Sequence, residues 1–423
     1  MKQYRPRIVD AVLARKLEGM GAALIEGAKW CGKTTTAEQI AGSVLNIDDP
    51  AKVKQNLELA NLSPKLLLQG KTPRLLDEWQ LAPKLWDAVR FEVDHREEMG
   101  QFILTGSAVP PSLEEVYHSG TGRFAWLKMR PMSLIESGES TGEVRLENLF
   151  SSPKEVSGSN SLDLPRLAFL TCRGGWPRAV SMSDRVALDL AVNYCDAVAN
   201  TDVSRVEGIR RNPTYVKRLM RSYARHQGTQ AATSVICEDI RANETAPLEY
   251  DTVSAYISAL EKIFVIEEMA AWNPNLRSRT AIRTSATRYY TDPSIAVASL
   301  GLGPKDLIAD LNTFGFLFET LCVRDLRVLA DALGGDVYHY RDSSGLECDA
   351  VVHLRNGSYG LIEIKLGGDE RIADGVNNLQ TLARKIDSER MNRPAFLMVL
   401  TGVGDYAYRR EDGVYIVPIG CLG

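Results

Sequence analysis

The chain lacks the features that place a protein across or outside a membrane. No apolar run approaches the ~20 residues that span a bilayer, and the opening MKQYRPRIVDAVLARKL has no apolar stretch of the kind found in a secretory leader. Its seven cysteines, Cys31, Cys172, Cys195, Cys237, Cys322, Cys348 and Cys421, are odd in number and never form a C-x-x-C pair. That argues against a disulfide framework and against a zinc site. Positive charge is not in excess either. Lys and Arg number 50 against 54 Asp and Glu, a formal net charge of −4, so a polyanionic partner has to be met by a local basic patch. Internal repeats and long low-complexity tracts are missing too. What remains, 44% hydrophobic and 25% charged residues, is an ordinary globular composition, expected in a reducing cytoplasm and with no membrane partner.

At ~150 residues per domain, 423 residues predict two or three domains. Short apolar runs alternate with longer amphipathic stretches through the first third: GAALIEG, TTTAEQIAGS, VLNID, PRLLDE, a stretch from Lys84 to Met99, and QFILTGS. That alternation predicts a parallel α/β sheet. A Ser-, Gly- and Glu-rich stretch from Glu136 to Leu162 reads as an exposed connection or lid insertion. The middle third is helical by pattern and rich in Arg, and suggests a winged-helix-like module. From about Phe314 a helix, three strand-like runs, another helix and a strand suggest a further α/β domain. The expected division is 1–165, 166–304 and 305–423.

The sharpest motif is EGAKWCGKTT. Gly27, Gly32, Lys33 and Thr34 fill the fixed positions of G-x-x-x-x-G-K-[ST], with a strand-like run before them and a helix-like run after. Such a loop turns its backbone N–H groups inward on a phosphate, so Ala28, Lys29, Trp30, Cys31 and Thr35 join the expected binding set. Lys33 reaches the β- and γ-phosphates and the Thr34 hydroxyl can ligate Mg²⁺. PRLLDEWQ ends an apolar strand in two carboxylates: Asp77 would hold Mg²⁺ through water, and Glu78 would orient or deprotonate the attacking water. QFILTGSA, another apolar run ending in small polar residues, is expected to bring Thr105 or Ser107 to the γ-phosphate or to the attacking water.

A second constellation lies in the last third: Glu319 in GFLFET, Asp349 in LECDAVV, and Glu363 and Lys365 in LIEIKL. Fourteen positions separate Asp349 from Glu363, room for a strand, a turn and the start of the next. Side chains two apart on a strand share a face, so Glu363 and Lys365 project together beside Asp349. Two carboxylates so placed can hold Mg²⁺ and acidify its water while a lysine places the nucleophile. The pattern resembles the PD-(D/E)xK nuclease core, with Glu319 a further possible ligand and Gln380 a possible helper. A solvated strand face and a non-cleaving binding platform are the competing readings.

Taken with NIDDP, the Gly122-Arg123 pair, GGWPR, DVSRV and RYYTDPS, these motifs resemble the AAA-like P-loop ATPases of bacteria and archaea that carry a C-terminal domain of unknown function. The resemblance covers essentially the whole chain. It implies ATP binding with Mg²⁺ and hydrolysis, with Arg123 a candidate arginine finger and Arg130 a competitor for that role. It also leaves open a homo-oligomer or a protein partner.

Between Arg205 and His226 stand seven basic residues, Arg205, Arg210, Arg211, Lys217, Arg218, Arg221 and Arg225, against one acid, Glu207. With Tyr215 and Tyr223 interleaved, and a second run at Arg277, Arg279, Arg283 and Arg288, this stretch suits DNA or RNA phosphates. The alternative is that these arginines pair within the molecule. The expected function is an Mg²⁺-dependent ATPase whose nucleotide state is coupled to a nucleic-acid-binding or nuclease-like domain. Its rivals are an ATP-regulated metal-dependent nuclease and a nucleotide-switched binding protein that cuts nothing.

Overall fold

The computed structural model describes residues 4–108, 120–151, 156–205, 208–243, 248–274 and 282–423. In the N-terminal part, five short strands form a wholly parallel sheet in the order β2-β3-β4-β1-β5. They are β1 (Ala22–Glu26), β2 (Ser43–Asn46), β3 (Arg74–Asp77), β4 (Phe102–Gly106) and β5 (Phe124–Lys128). Their apolar residues face both ways, as a sheet covered on both sides requires. Ala22, Leu24, Leu76 and Leu104 pack on Leu85, Trp86 and Val89 of the helix Lys84–Arg96. On the other face Ala23, Ile25, Leu75 and Ile103 pack on Leu13 and Leu17 of the helix Ile8–Gly19. Because all strands run the same way, every strand-to-helix loop opens at one edge, where parallel sheets bind their ligands.

The second sheet is mixed and has seven strands in the order β6-β11-β12-β10-β9-β8-β7. Its members are β6 (Gly158–Ser159), β7 (Gly335–Arg341), β8 (Glu347–Leu354), β9 (Tyr359–Lys365), β10 (Phe396–Thr401), β11 (Tyr406–Arg409) and β12 (Tyr415–Pro418). Alternation again divides the faces. Ala350, Val352, Ile362 and Ile364 share a core with Leu317 and Leu321 of the long helix Leu311–Ala332, while Val351 and Leu361 pack with Leu379 of the helix Asp369–Lys385.

Between the sheets lies a helical region. Helices Leu164–Arg173, Asp184–Ala197, Pro213–Arg225, Thr233–Asn243 and Tyr250–Lys262 contribute to the same core as the second sheet. After the last of these, the chain makes isolated antiparallel bridges at Ile266 with Tyr290 and Met269 with Thr287. The exposed positions of Tyr250–Lys262 are Tyr250, Asp251, Ser254, Ala255 and Glu261, so this helix presents acid to solvent and no basic residue at its exposed positions.

The stretch expected to be an exposed connection is not one. Where it is described, it is stitched to the end of the chain: Val144 N–H donates to Cys421 O (2.9 Å), Gly423 N–H to Val144 O (2.8 Å) and Leu146 N–H to Gly423 O (2.8 Å). The β6 strand pairs with β11, and Leu146 and Leu149 are buried. Packing therefore assigns residues from about 134 onward to the larger core, some thirty positions before the expected boundary at 165. The Ser, Gly and Glu that suggested solvent serve here as backbone partners and turn residues.

Candidate nucleotide site

The loop after β1 adopts the geometry its glycines allow. Gly27 has φ 155°, and a Cβ there would lie 2.0 Å from Met129 O. Gly32, at φ 106°, precedes the helix Lys33–Glu38. Trp30 takes φ 67° between them. Positive φ at these three points turns loop N–H groups inward, as in the backbone nests that hold phosphate. Lys33 Nζ donates to Gly27 O (2.8 Å) and Ala28 O (2.9 Å), so the ammonium lies against the loop. Ala28 and Cys31 are buried, and Cys31 O accepts from Arg7 Nη1 at 2.8 Å. Thr35 follows in the first turn of the helix.

Strand register assembles the rest. Asp77 pairs with Thr105 across β3 and β4. Thr34 Oγ1 donates to Asp77 Oδ1 at 2.8 Å, and Thr105 Oγ1 donates to the same oxygen. Glu78, at φ 56°, accepts from Gln80 Nε2 and, at 3.4 Å, from Ser107 Oγ. Burial pushes the Glu78 carboxyl above its usual range, although Gln80 and Lys33 pull the other way. A hydroxyl and a carboxylate side by side form the hard, all-oxygen donor set that Mg²⁺ takes, so Thr34 and Asp77 fit that ion.

Both arginines expected as fingers are paired with carboxylates of this chain. Arg123 precedes β5, and its carbonyl accepts from Ala22 N at the start of β1, so it lies one strand length, roughly 16 Å, from the loop. Its guanidinium pairs with Asp94 at 2.8 Å. Arg130 is buried, with Nε and Nη2 on Glu267 (2.8 and 2.7 Å) and Nη1 on Asp331.

Three contributors were missed by the sequence reading. Gln80 touches Glu78. Asp202 pairs with Lys29 at 2.5 Å. Arg7 spans Cys31 O, Arg130 O (2.8 Å) and Glu136 (3.0 Å), tying the loop to the stretch taken for a connection. Two quoted motifs held a missed residue without a role for it: DVSRV contains Asp202, and PRLLDEWQ ends in Gln80.

The second constellation comes together in part. Asp349 on β8 and Glu363 and Lys365 on β9 share a face. Lys365 Nζ lies 3.0 Å from Asp349 Oδ2 and 2.6 Å from Glu363 Oε2, and Ile364 N donates to Asp349 Oδ2 at 2.7 Å. Glu319 approaches from the helix on the opposite face and accepts from the Tyr289 hydroxyl, a partner the sequence reading did not name. Burial, then the Asp349 charge, pushes Glu319 up to about 8 and Glu363 well up; Lys365 rises because its two carboxylates outweigh its burial. Among the described residues no three of His, Cys, Asp and Glu are arranged to hold a metal ion. Lys365 stands between Asp349 and Glu363, and Glu319, reaching in from another element, lies close enough to feel the Asp349 charge. Gln380 bears on Asp412 instead.

The basic stretch is largely committed inside the molecule. Lys217 pairs with Asp196 (2.6 Å), Arg225 with Asp239 (2.6 Å) and Arg288 with Glu268 (2.7 Å). Arg211 is buried over Tyr256, and Arg218 lies over Tyr215. Arg205, Arg210 and Arg221 are exposed. Glu207, Arg277 and Arg279 fall outside the described residues.

Comparison with known proteins adds the following. Residues 20–137 match the family described as AAA domain. The first third of the chain is similar to AAA-type P-loop ATPases. Residues 164–306 and 314–422 match two families described as domains of unknown function, DUF8612 and DUF4143. Two uncharacterized proteins, of Mycobacterium bovis and Mycobacterium tuberculosis, are each 21% identical over 418 residues, 97% of this chain and 83% of theirs. Among solved structures, a Walker-type ATPase of Pyrococcus abyssi has a TM-score of 0.40 at 14% identity, covering 70% of this chain and 99% of that one. The Orc1 protein of Aeropyrum pernix, solved with DNA, has a TM-score of 0.21 at 15% identity, covering 74% and 97%. All seven cysteines are free, and among the described residues no helix is long and apolar enough to cross a membrane.

Proposed function

We propose that the chain is an Mg²⁺-dependent ATPase that links nucleotide state to its helical and C-terminal domains. The observation that carries this is the junction of Thr34, Asp77 and Thr105, with Glu78 beside it, at the edge where the phosphate loop opens. The loop N–H groups and Lys33 bind the phosphates, the ammonium exchanging its two loop carbonyls for phosphate oxygens. Thr34 and Asp77 would hold Mg²⁺, which when bound would supply positive charge against the phosphates. Glu78 takes the proton of the attacking water, and its raised pKa brings it nearer the working pH of a general base. Lys33→Ala is expected to abolish nucleotide binding. Glu78→Gln is expected to keep binding and to lose hydrolysis by about 10²-fold or more. Phosphate release and equilibrium binding, measured on both, check this; retained turnover in Glu78→Gln would assign the water to another group.

The lysine between Asp349 and Glu363 favours a second domain that binds rather than cuts, with Arg210 and Arg221 available to nucleic-acid phosphates. A nuclease of the PD-(D/E)xK kind is the alternative. Single- and double-stranded DNA and RNA, incubated with the protein and Mg²⁺ or Mn²⁺, with and without ATP, separate the two. Cleavage lost in Glu363→Ala establishes the nuclease; binding without cleavage in both proteins supports the scaffold.

A further inference from the structure

A cleft of about 420 Å³ lies between the phosphate loop and the helical domain. Lys29, Glu78 and Ser107 line it from the sheet side, and Tyr194, Asp202 and Arg205 from the helical side. Two contacts hold its walls together. Lys29 Nζ meets Asp202 at 2.5 Å, and the Trp30 ring sits edge-on to Tyr194 with centroids 5.4 Å apart. Lys29 and Trp30 occupy positions of the phosphate loop that the motif leaves free, so their side chains are available for work besides phosphate binding. On the other wall, the chain makes one π-helical turn, Val198–Asp202, between the helices Asp184–Ala197 and Val203–Arg205. Such turns re-aim side chains and concentrate at functional sites. Asp202 and Arg205, three apart, fall on neighbouring positions of the helix surface. Asp202 is buried against Lys29, and Arg205 is exposed at the cleft.

The nearby cations are otherwise committed. Lys29 is held by Asp202, Arg130 by Glu267 and Asp331, Arg123 by Asp94 at the far edge of the sheet, and Lys33 lies within the loop itself. Beside these cations, the Arg205 side chain has no ion pair or hydrogen bond among the described residues, and it faces the cleft that Glu78 and Ser107 also face.

We propose that the site is completed in cis: Arg205 of the helical domain is the arginine that meets the γ-phosphate, and Lys29–Asp202 with Trp30–Tyr194 is the clasp that seats it. This rests on the ATPase reading above. In hydrolysis the water oxygen forms a bond to the γ-phosphorus while the bond from phosphorus to the bridging oxygen breaks. The electron pair stays on ADP, and the water proton passes to Glu78. Arg205 exchanges no atom; it neutralises charge on the transferring group, as arginines supplied in cis or in trans do in other P-loop enzymes. A carrier on the same chain makes that neutralisation depend on how the helical domain sits against the loop, which gives nucleotide state a route to the rest of the molecule.

The test compares full-length wild type with Arg205→Ala, Arg205→Lys, Asp202→Asn, Arg123→Ala and Lys33→Ala. Steady-state ATP hydrolysis is followed over a hundred-fold range of protein concentration, and binding of a fluorescent ATP analogue with Mg²⁺ is measured separately. Arg205→Ala is expected to lower kcat by about 10³-fold with analogue binding within a few-fold of wild type, and Arg205→Lys to recover part of the rate. Asp202→Asn, which loosens the clasp and leaves Arg205 in place, is expected to lower kcat several-fold. Arg123→Ala should hydrolyse like wild type, and specific activity should not change with concentration. Wild-type kcat in Arg205→Ala overturns the proposal. So does a specific activity that climbs with concentration and collapses in Arg123→Ala, since the arginine then comes from a neighbouring subunit. A wild-type chain that neither binds the analogue nor releases phosphate overturns the ATPase reading itself, a result distinct from an active chain indifferent to Arg205.

Discussion

Asp342 shows how much one buried carboxylate can contribute. Its side chain, fully buried after β7, accepts from Ser344 N (2.9 Å), Ser344 Oγ (2.5 Å), the Tyr340 hydroxyl (2.9 Å) and Lys385 Nζ (3.0 Å). Burial alone would raise its pKa, but these donors outweigh it and hold the group at about 2. The unfolded value is about 3.9. A folded pKa below the unfolded one contributes stability that is complete above pH ~4 and is lost as pH falls through 2. Asp342→Asn is therefore expected to be less stable than wild type by ~2 kcal/mol at neutral pH, and the gap should close between pH 4 and pH 2. Denaturant midpoints measured across that range check this; a gap indifferent to pH would assign the loss to packing. Tyr340 and Ser344 are its sequence neighbours, but the ammonium partner stands 43 positions away, so the local sequence did not announce the full set.

Elements differ in how much of their role is local. The phosphate loop was legible because its chemistry demands contiguous residues: two glycines at positive φ, one lysine and one hydroxyl, set between a strand and a helix. The strand-end carboxylates Asp77 and Glu78 were legible for the same reason. By contrast, the stretch from Glu136 to Leu162 was misread because its order comes from the other end of the chain. Its composition matches a linker, yet Glu136 caps Ser133 N, accepts from Ile8 N and pairs with Arg7, while Val144 and Leu146 bond to the last residues. Removing Ile419–Gly423 takes away the partners of Thr141, Val144 and Leu146 and uncovers buried Val144 and Leu146. The expected result is a lower melting temperature and new protease cutting near residues 141–146, with residues 20–108 protected as before. Unchanged melting and cutting would return the stretch to the status of a linker.

At the scale of the molecule, two kinds of cohesion meet. The helical region and the second sheet share one apolar core, whereas the N-terminal sheet keeps its own cores on its two faces. The N-terminal sheet joins the rest through a few apolar contacts, Ala28 in the larger core and Trp30 against Tyr194, and through polar contacts of which Arg130 is the hub. It leaves the end of β5, grips Glu267 of the helical region with two nitrogens, and gives its third to Asp331 near the end of Leu311–Ala332. Arg327 of that helix donates to Glu267 O at 3.0 Å. The charges of Arg130 and Arg327 hold Glu267 well below the usual carboxylate range despite its burial. Removing one member of a buried ion cluster leaves the others uncompensated, at a cost of about 3–5 kcal/mol, whereas removing both partners is far milder. Arg130→Met is thus expected to destabilise the chain by about that amount. Combined with Glu267→Gln it should cost clearly less than the sum of the two single changes, since the pair is in direct contact. Strict additivity in that double-mutant cycle would show that Arg130 acts through its own packing. A strong coupling energy, with phosphate release falling in Arg130→Met while analogue binding persists, would show that the N-terminal sheet works only when this junction sets its position against the helical domain.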